Sequence, residues 1–194
     1  VVYLYVESNE GESEGSGFIV SEQGHILTNS HVIEGGYVYV RTYDGTRYRA
    51  ETIKTDRELD LGLVGIVSAP KKFPAVKIGN SNSAKPGDQI TVIGNPLGAR
   101  FEHSVLTGII SGSNREKGLL QLSIPTYGGL SGSPVFDSRG KVIAIMRSLP
   151  AFLTTQEIMV KKELVEVGAV AKAHNIGLAV PINYARPILE LARP

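Results

Sequence analysis

The punctuation of this chain limits its fold more than any other feature. Short apolar or alternating runs recur almost from end to end, at residues 2–6, 17–20, 25–28, 37–43, 48–54, 61–67, 89–93, 104–111, 119–123, 134–136, 142–146 and 178–180. Between them stand Glu22-Gln-Gly, Tyr43-Asp-Gly, Pro86-Gly-Asp, Asn95-Pro-Leu-Gly and Ser138-Arg-Gly, whose Gly, Asn and Pro supply the dihedrals of tight turns. A dozen short strands at this spacing predict an all-β sandwich or barrel. Composition agrees, because 19 Val and 17 Ile stand against 17 Leu, and β-branched side chains favour strands. Two segments break the pattern. Residues 158–174 carry Leu164, Val167, Gly168 and Ala171 at helical spacing among Lys161, Lys162, Glu163 and Glu166, which predicts a helix there. Residues 183–192 predict a short C-terminal helix with Asn183 as N-cap and Pro187 in its first turn. The polar stretch 81–86 is read as the crossover between two halves of one domain, 1–82 and 83–194.

Several function classes fall away at once. A net charge of +1 gives no electrostatic footprint for nucleic acid. With no Cys, disulfide scaffolds, thiol catalysis and Cys-ligated zinc are excluded. No apolar run approaches the ~20 residues of a membrane span. The start at Val1 is read as a trimmed or excised domain, so that any signal segment is out of view.

Three local contexts carry chemistry. Gly128-Gly-Leu-Ser-Gly-Ser-Pro134 surrounds a serine with glycines. Such a turn lets backbone N–H groups, here those of Gly129 and Ser131, point at the oxyanion of a tetrahedral intermediate; alone, it reads equally well as a Gly-Ser hairpin turn. Ile26-Leu-Thr-Asn-Ser-His-Val-Ile33 ends a strand in His31, a side chain able to take and return a proton near neutrality; the plain alternative is a buried core histidine. Asp56-Arg-Glu-Leu-Asp-Leu-Gly-Leu-Val64 sets an aspartate at the mouth of an apolar strand. Asp60 is preferred over Asp56 because it abuts the strand, although either could be a turn residue. The chain order His31, Asp60, Ser131 is that of the two-barrel serine proteases and not of the α/β-hydrolases. No metal or cofactor is expected, since His25, His103 and His174 show no paired ligand spacing.

From these residues outward the chain resembles the protease domain of the HtrA/Deg family of trypsin-like serine proteases. The resemblance runs through Gly15-Ser-Gly-Phe-Ile-Val20, Gly24-His-Ile-Leu-Thr-Asn-Ser-His-Val-Ile-Glu-Gly35, Asp60-Leu-Gly-Leu-Val64, Ile78-Gly-Asn-Ser81, Ile93-Gly-Asn-Pro-Leu-Gly98, Ser104-Val-Leu-Thr-Gly-Ile-Ile-Ser-Gly112 and Gly177-Leu-Ala-Val-Pro-Ile-Asn183. It implies two six-stranded antiparallel β-barrels, His31, Asp60 and Ser131 as a catalytic triad, and ATP-independent proteolysis of unfolded or damaged protein. It also implies a periplasmic or otherwise extracytoplasmic setting, and a homotrimer formed through the N-terminal segment, where Tyr3, Tyr5 and Val6 are candidates for packing between subunits.

The chain departs from the family at four places. Leu130 and Ser133 stand where the family has Asn and Gly, which keeps a catalytically silent chaperone or peptide-binding module in view; an esterase is a weaker rival. By analogy with the fold, Pro125, Thr126, Tyr127, Ile145 and Arg147 border the substrate pocket. With no Asp among them, small or medium aliphatic residues are expected before the scissile bond, and Arg147 could admit an acidic one. The connection 148–176 is longer than the family's; it reads as a lid or subunit contact or, equally well, as a decorative surface insertion. No PDZ module is expected within the chain. An extended substrate is expected to add as a strand to an open edge, for which 142–147 is the candidate, and the acidic residues Glu7, Glu10, Glu12 and Glu14 are read as a solvated turn.

Overall fold

The computed structural model describes residues 1–8, 11–69, 72–114, 118–147, 152–160, 163–171 and 176–193, with 152–160 and 163–171 described by backbone only. Six strands, β1 (Val2–Ser8), β2 (Gly11–Ile19), β3 (His25–Thr28), β4 (Tyr37–Arg41), β5 (Arg47–Asp56) and β6 (Leu61–Ile66), close into an antiparallel barrel in the order β1-β2-β3-β6-β5-β4. One helical turn, α1 (Ser30–Ile33), follows β3. Of the acidic residues there, Glu7, Glu12 and Glu14 lie on β1 and β2, where Glu7 faces Glu12 and Tyr5 faces Glu14 in register.

The second half adds β7 (Lys77–Ile78), β8 (Gln89–Gly94), β9 (Ser104–Asn114), β10 (Leu119–Leu122), β11 (Pro134–Phe136), β12 (Lys141–Arg147), the pair β13 (Phe152–Val160) and β14 (Glu163–Ala171), and β15 (Gly177–Pro181). The order β11-β8-β9-β10-β15-β12, closed by β11 against β12, is a second six-stranded antiparallel barrel. Strand β7 comes from the first half of the chain yet pairs in parallel with β12. It is a strap between the halves. A 3-10 turn, Ser81–Ser83, then leads into the second barrel.

Alternation along single strands builds three connected cores. On β3, Ile26 faces the interior of the first barrel with Leu4, Val38, Val40 and Val64. Its neighbour Leu27 turns the other way, into a seam with Phe18, Leu61 and Leu63, which meets Ile145, Val180, Ile182 and Ile188 of the second half. A strand buried on both faces needs apolar residues at consecutive positions, as in Leu61-Gly-Leu-Val64. Each such leucine taken fully out of water stabilises by roughly 1.5–3 kcal/mol. The second barrel fills with Val92, Ile110, Leu122, Ile124, Leu130, Val135 and Met146.

Two helix expectations change. The expected helix at 158–174 is a β-hairpin where the residues are described: β13 and β14 pair from Phe152↔Ala171 to Val160↔Glu163. Thr154, Thr155, Ile158, Val160, Val165, Val167 and Val170 are β-branched and lose side-chain freedom in a helix, and Gly168 weakens a helix further. The spacing of Val167 and Ala171 fits both periods, and the branching decides. The remainder of that stretch, including Lys161, Lys162 and His174, lies outside the described residues. At the C-terminus the helical segment exists but is broken into a 3-10 turn (Ile182–Ala185), α2 (Arg186–Leu189) and a second 3-10 turn (Glu190–Ala192). Pro187 sits in the first turn of α2. Asn183 does not cap it. It lies inside the preceding 3-10 turn, where its amide donates to Asn80 Oδ1 at 2.8 Å and its carbonyl accepts from Arg186 Nε at 3.2 Å. No helix among the described residues is long and apolar enough to cross a membrane.

Candidate active site

The first barrel places an imidazole on a carboxylate. His31 is carried by α1 directly after β3, and Asp60 stands immediately before β6; these two strands pair along His25↔Gly65 to Thr28↔Gly62. Register therefore brings residues 29–31 beside residue 60. Nδ1 of His31 lies 2.9 Å from both Oδ1 and Oδ2 of Asp60. Oδ1 also accepts from the Ser30 hydroxyl at 2.9 Å and the His31 backbone N–H at 3.2 Å. Arg147 Nε reaches Oδ2 at 3.0 Å from the end of β12. Asp60 adopts a left-handed backbone, φ +55°, which Asp tolerates better than most residues. Asn29 steadies that bend, its buried amide donating to the Asp60 carbonyl at 2.8 Å. Asp56 is not in contact with His31: its carboxylate accepts from Leu59 N–H at 2.9 Å.

Burial alone raises the Asp60 carboxyl, but the hydrogen bond and charge of the His31 ring, its backbone N–H and the Ser30 hydroxyl together hold it below the ordinary carboxylate value. Asp60 is thus an ionised, acceptor-only group at neutral pH, so the Nδ1 facing it carries hydrogen and Nε2 of the neutral ring is left as an acceptor. The His31 side chain keeps 48% of its surface in solvent against 5% for Asp60. The pair is rooted at one end and open at the other.

The second barrel supplies a turn of backbone groups. Gly129 and Gly132 have φ of +88° and +83°. A Cβ on Gly129 would run into the Asn95 carbonyl, and one on Gly132 into the Ser16 carbonyl, so both positions need glycine. Nearly every peptide of the turn is held. Gly128 O accepts from Leu97 N–H at 2.7 Å, Gly129 O from the Ser16 hydroxyl at 2.7 Å, Leu130 O from Ser133 N–H at 3.1 Å and Ser131 O from Ser16 N–H at 2.8 Å. Gly132 N–H donates to Met146 O at 2.9 Å, and Met146 N–H to Ser133 O at 2.8 Å. In a trans peptide the carbonyl and the following N–H point oppositely. The N–H of Gly129 is therefore turned away from the 95–98 loop, where it meets no partner among the described residues, and the N–H of Ser131 is turned away from Ser133. Leu130, between them, is fully buried in the second core and anchors the turn by its side chain. Ser133 is buried as well, and its hydroxyl finds no partner among the described residues.

Contacts across the seam join the halves. A Cβ on Gly15 would press on Val32, next to His31, and come within 3.3 Å of the Ser131 carbonyl oxygen. Residues 32 and 131 thus both approach β2 at Gly15.

The residues expected to border the pocket separate into two groups. Pro125 and Thr126 are half-buried beside the turn and Tyr127 is exposed. Ile145 has its side chain sealed in the seam core, because successive side chains of β12 point to opposite faces. Arg147 is ion-paired to Asp60. Nor does 142–147 offer an open edge: β12 pairs with β11 along one side and, along the other, with β7 at Lys141 and Val142 and with β15 from Ala144 to Arg147. His25 accepts or donates at Nδ1 to the Ser21 hydroxyl at 2.6 Å, and His103 packs edge-on against Tyr43. Among the described residues no three metal-ligating side chains cluster. Sequence reasoning passed over Ser16, Asn29, Ser30 and Asn95. All four are polar and buried, and the available signal was polar residues interrupting runs that a core should keep apolar.

The family model described as "Trypsin-like peptidase domain" matches residues 15–145. A DegP-like periplasmic serine endoprotease of Pseudomonas savastanoi pv. phaseolicola is 39% identical over 143 residues, 70% of this chain and 29% of that protein. Its counterpart in a Marinomonas species is 36% identical over 146 residues, 72% of this chain and 30% of that protein. The chain therefore spans less than a third of the curated relatives it matches. Among solved structures, the HtrA-type protease AlgW with a tripeptide superposes with a TM-score of 0.76 at 28% identity, covering 97% of this chain and 58% of that one. The serine endoprotease of Yersinia pestis gives 0.75 at 28% identity, covering 98% and 61%.

Proposed function

Because the chain belongs to the trypsin-like peptidase family, we propose that it is an HtrA-type serine endopeptidase acting through an acyl-enzyme on Ser131. The observation that carries this reading is the His31–Asp60 pair, with Nδ1 at 2.9 Å from both carboxylate oxygens and the imidazole open to solvent at its other end. Ser131 Oγ attacks the scissile carbonyl while His31 Nε2 takes its proton. Asp60 keeps the hydrogen on Nδ1 and stabilises the imidazolium. The developing oxyanion is received by the N–H groups of Gly129 and Ser131, and the holds on the Gly128, Gly129 and Leu130 carbonyls support this role. His31 returns the proton to the leaving amine, and water, activated by His31 in turn, releases the acyl group.

Substrates are proposed to be unfolded or damaged polypeptides, cleaved without ATP after small or medium aliphatic residues. The location is proposed to be extracytoplasmic, in line with the relatives named periplasmic. A homotrimer through the N-terminal segment is proposed on the same family ground; Tyr5, stacked on Tyr39 with ring centroids 4.9 Å apart, forms an aromatic ledge there.

The test compares wild type with Ser131→Ala on unfolded casein and on a fluorophosphonate probe. Cleavage and labelling in the wild type, both lost in the variant, are expected. A wild type that neither labels nor cleaves yet suppresses aggregation would overturn the reading, and turnover of simple esters alone would make the chain an esterase.

A further inference from the structure

We propose that Ser16, on β2 of the first barrel, is a positioning residue for the oxyanion-binding turn of the second, with Asn95 setting the direction of its hydroxyl. The inference rests on the serine-endopeptidase reading above. Gly128 and Gly129 carry no Cβ, so their own backbone preferences do little to select one orientation of the peptides that present the oxyanion donors. Selection must come from outside the turn. Ser16 supplies it twice: its backbone N–H holds the Ser131 carbonyl at 2.8 Å, and its hydroxyl holds the Gly129 carbonyl at 2.7 Å. The Gly129–Leu130 peptide so fixed is the link between the two peptides whose N–H groups face the oxyanion.

The hydroxyl has one way to point. A serine Oγ has one hydrogen to give and two lone pairs to receive. Both receiving positions are taken by Asn95, its backbone N–H at 3.0 Å and its side-chain amide at 3.0 Å. The hydrogen is thereby left to Gly129 O. Asn95 is itself locked, its amide also donating to the Val2 carbonyl at 3.0 Å and its Oδ1 accepting from His103 N–H at 3.0 Å. Ser16 and Asn95 are both fully buried, so water offers no substitute partner.

The expected effect of Ser16→Ala is a fall in kcat of about tenfold or more at a KM within about twofold, since donor alignment acts on the transition state and not on ground-state binding; outright loss of one oxyanion donor, about 10²–10³-fold, is the upper limit. Inactivation by a peptidyl fluorophosphonate, whose phosphoryl oxygen uses the same donors, should slow in parallel. Thr28→Val is the control. It removes a 2.7 Å hydrogen bond to the Ser16 carbonyl in the same buried seam and should lower Tm while leaving kcat within about twofold. Should Ser16→Ala fail to fold, Ser16→Cys, with a weak donor of similar shape, should give an intermediate kcat. Equal kcat losses in Ser16→Ala and Thr28→Val, or a Ser16→Ala or Ser16→Cys enzyme with wild-type kcat, would overturn this inference alone. A wild type without turnover or labelling at Ser131 would overturn the peptidase reading beneath it.

Discussion

The two halves of the site are held in different ways. The His31–Asp60 pair lies within one barrel. Its contacts are side chain to side chain or side chain to backbone, between neighbouring elements, with Arg147 as the one partner from the other half among the described residues. The 127–133 turn is built of backbone groups, and its decisive holds come from afar, from Ser16 in the first barrel and from the 95–97 loop. The pair can form once β3 registers with β6. The turn reaches its geometry only when the barrels dock. An imidazole held on a carboxylate needs residue identity, whereas a turn that presents backbone N–H groups needs backbone direction, and direction is fixed by whatever packs around it.

The sharpest break of this comparison is Asp60→Asn, which keeps the shape but offers an amide to Nδ1 in place of a carboxylate. A fall in kcat of about 10⁴ is expected from the loss of the correct tautomer, read by peptide turnover; retention of a tenth of the activity would deny the pair its role. The same variant tests linkage. Because folding depresses the Asp60 carboxyl, its stabilisation is present above the ordinary value of 3.8 and is lost as pH falls below it through the folded value. Wild-type Tm should therefore drop more steeply than that of the variant on acidification through this range. Next comes Gly129→Ala, where a methyl would collide with the Asn95 carbonyl at φ +88°. It should cost about 10²–10³ in kcat while His31 and Asp60 keep their contacts, observable as an unchanged imidazole Nδ1–H resonance.

Arg147→Met separates the two readings of that residue. As an ion-pair partner that is one third exposed, with its side chain at 34%, Arg147 is expected to influence turnover by no more than about fivefold, or ~1 kcal/mol. The loss should be equal for every residue before the scissile bond. Loss confined to acidic residues, in a peptide library, would return Arg147 to the pocket. The smallest effect is expected for Ser133→Ala. Removing a buried hydroxyl without a described partner should stabilise by about 1 kcal/mol, raising Tm by roughly 2–4 °C with turnover unchanged.

The strand-rich body was legible because burial imposes period two wherever one face is covered, and continuous apolar runs such as Leu61-Gly-Leu-Val64 wherever both are. His31, Asp60 and Ser131 stand out as candidates because their chemistry resides in the side chain and the surrounding glycines and apolar runs mark where strands end. The insertion was misread because Val167 and Ala171, four apart, satisfy both periodicities, and the weight of its β-branched residues, which favours pairing with β13, was passed over. Ile145 and the 142–147 edge were misjudged for one reason: neither the face a side chain takes nor the freedom of a strand edge can be known before the barrel closes.

By itself, then, the sequence determined the class of fold, the residues able to do chemistry and the glycines that a strained turn requires. The tertiary structure alone decided that Arg147 spends its charge on Asp60, that Leu130 is an anchor in the core, and that Ser16 and Asn95 face the turn across the seam. These contacts join residues as far apart as 113 positions. Local propensity carries no information at that separation; docking of two barrel surfaces does.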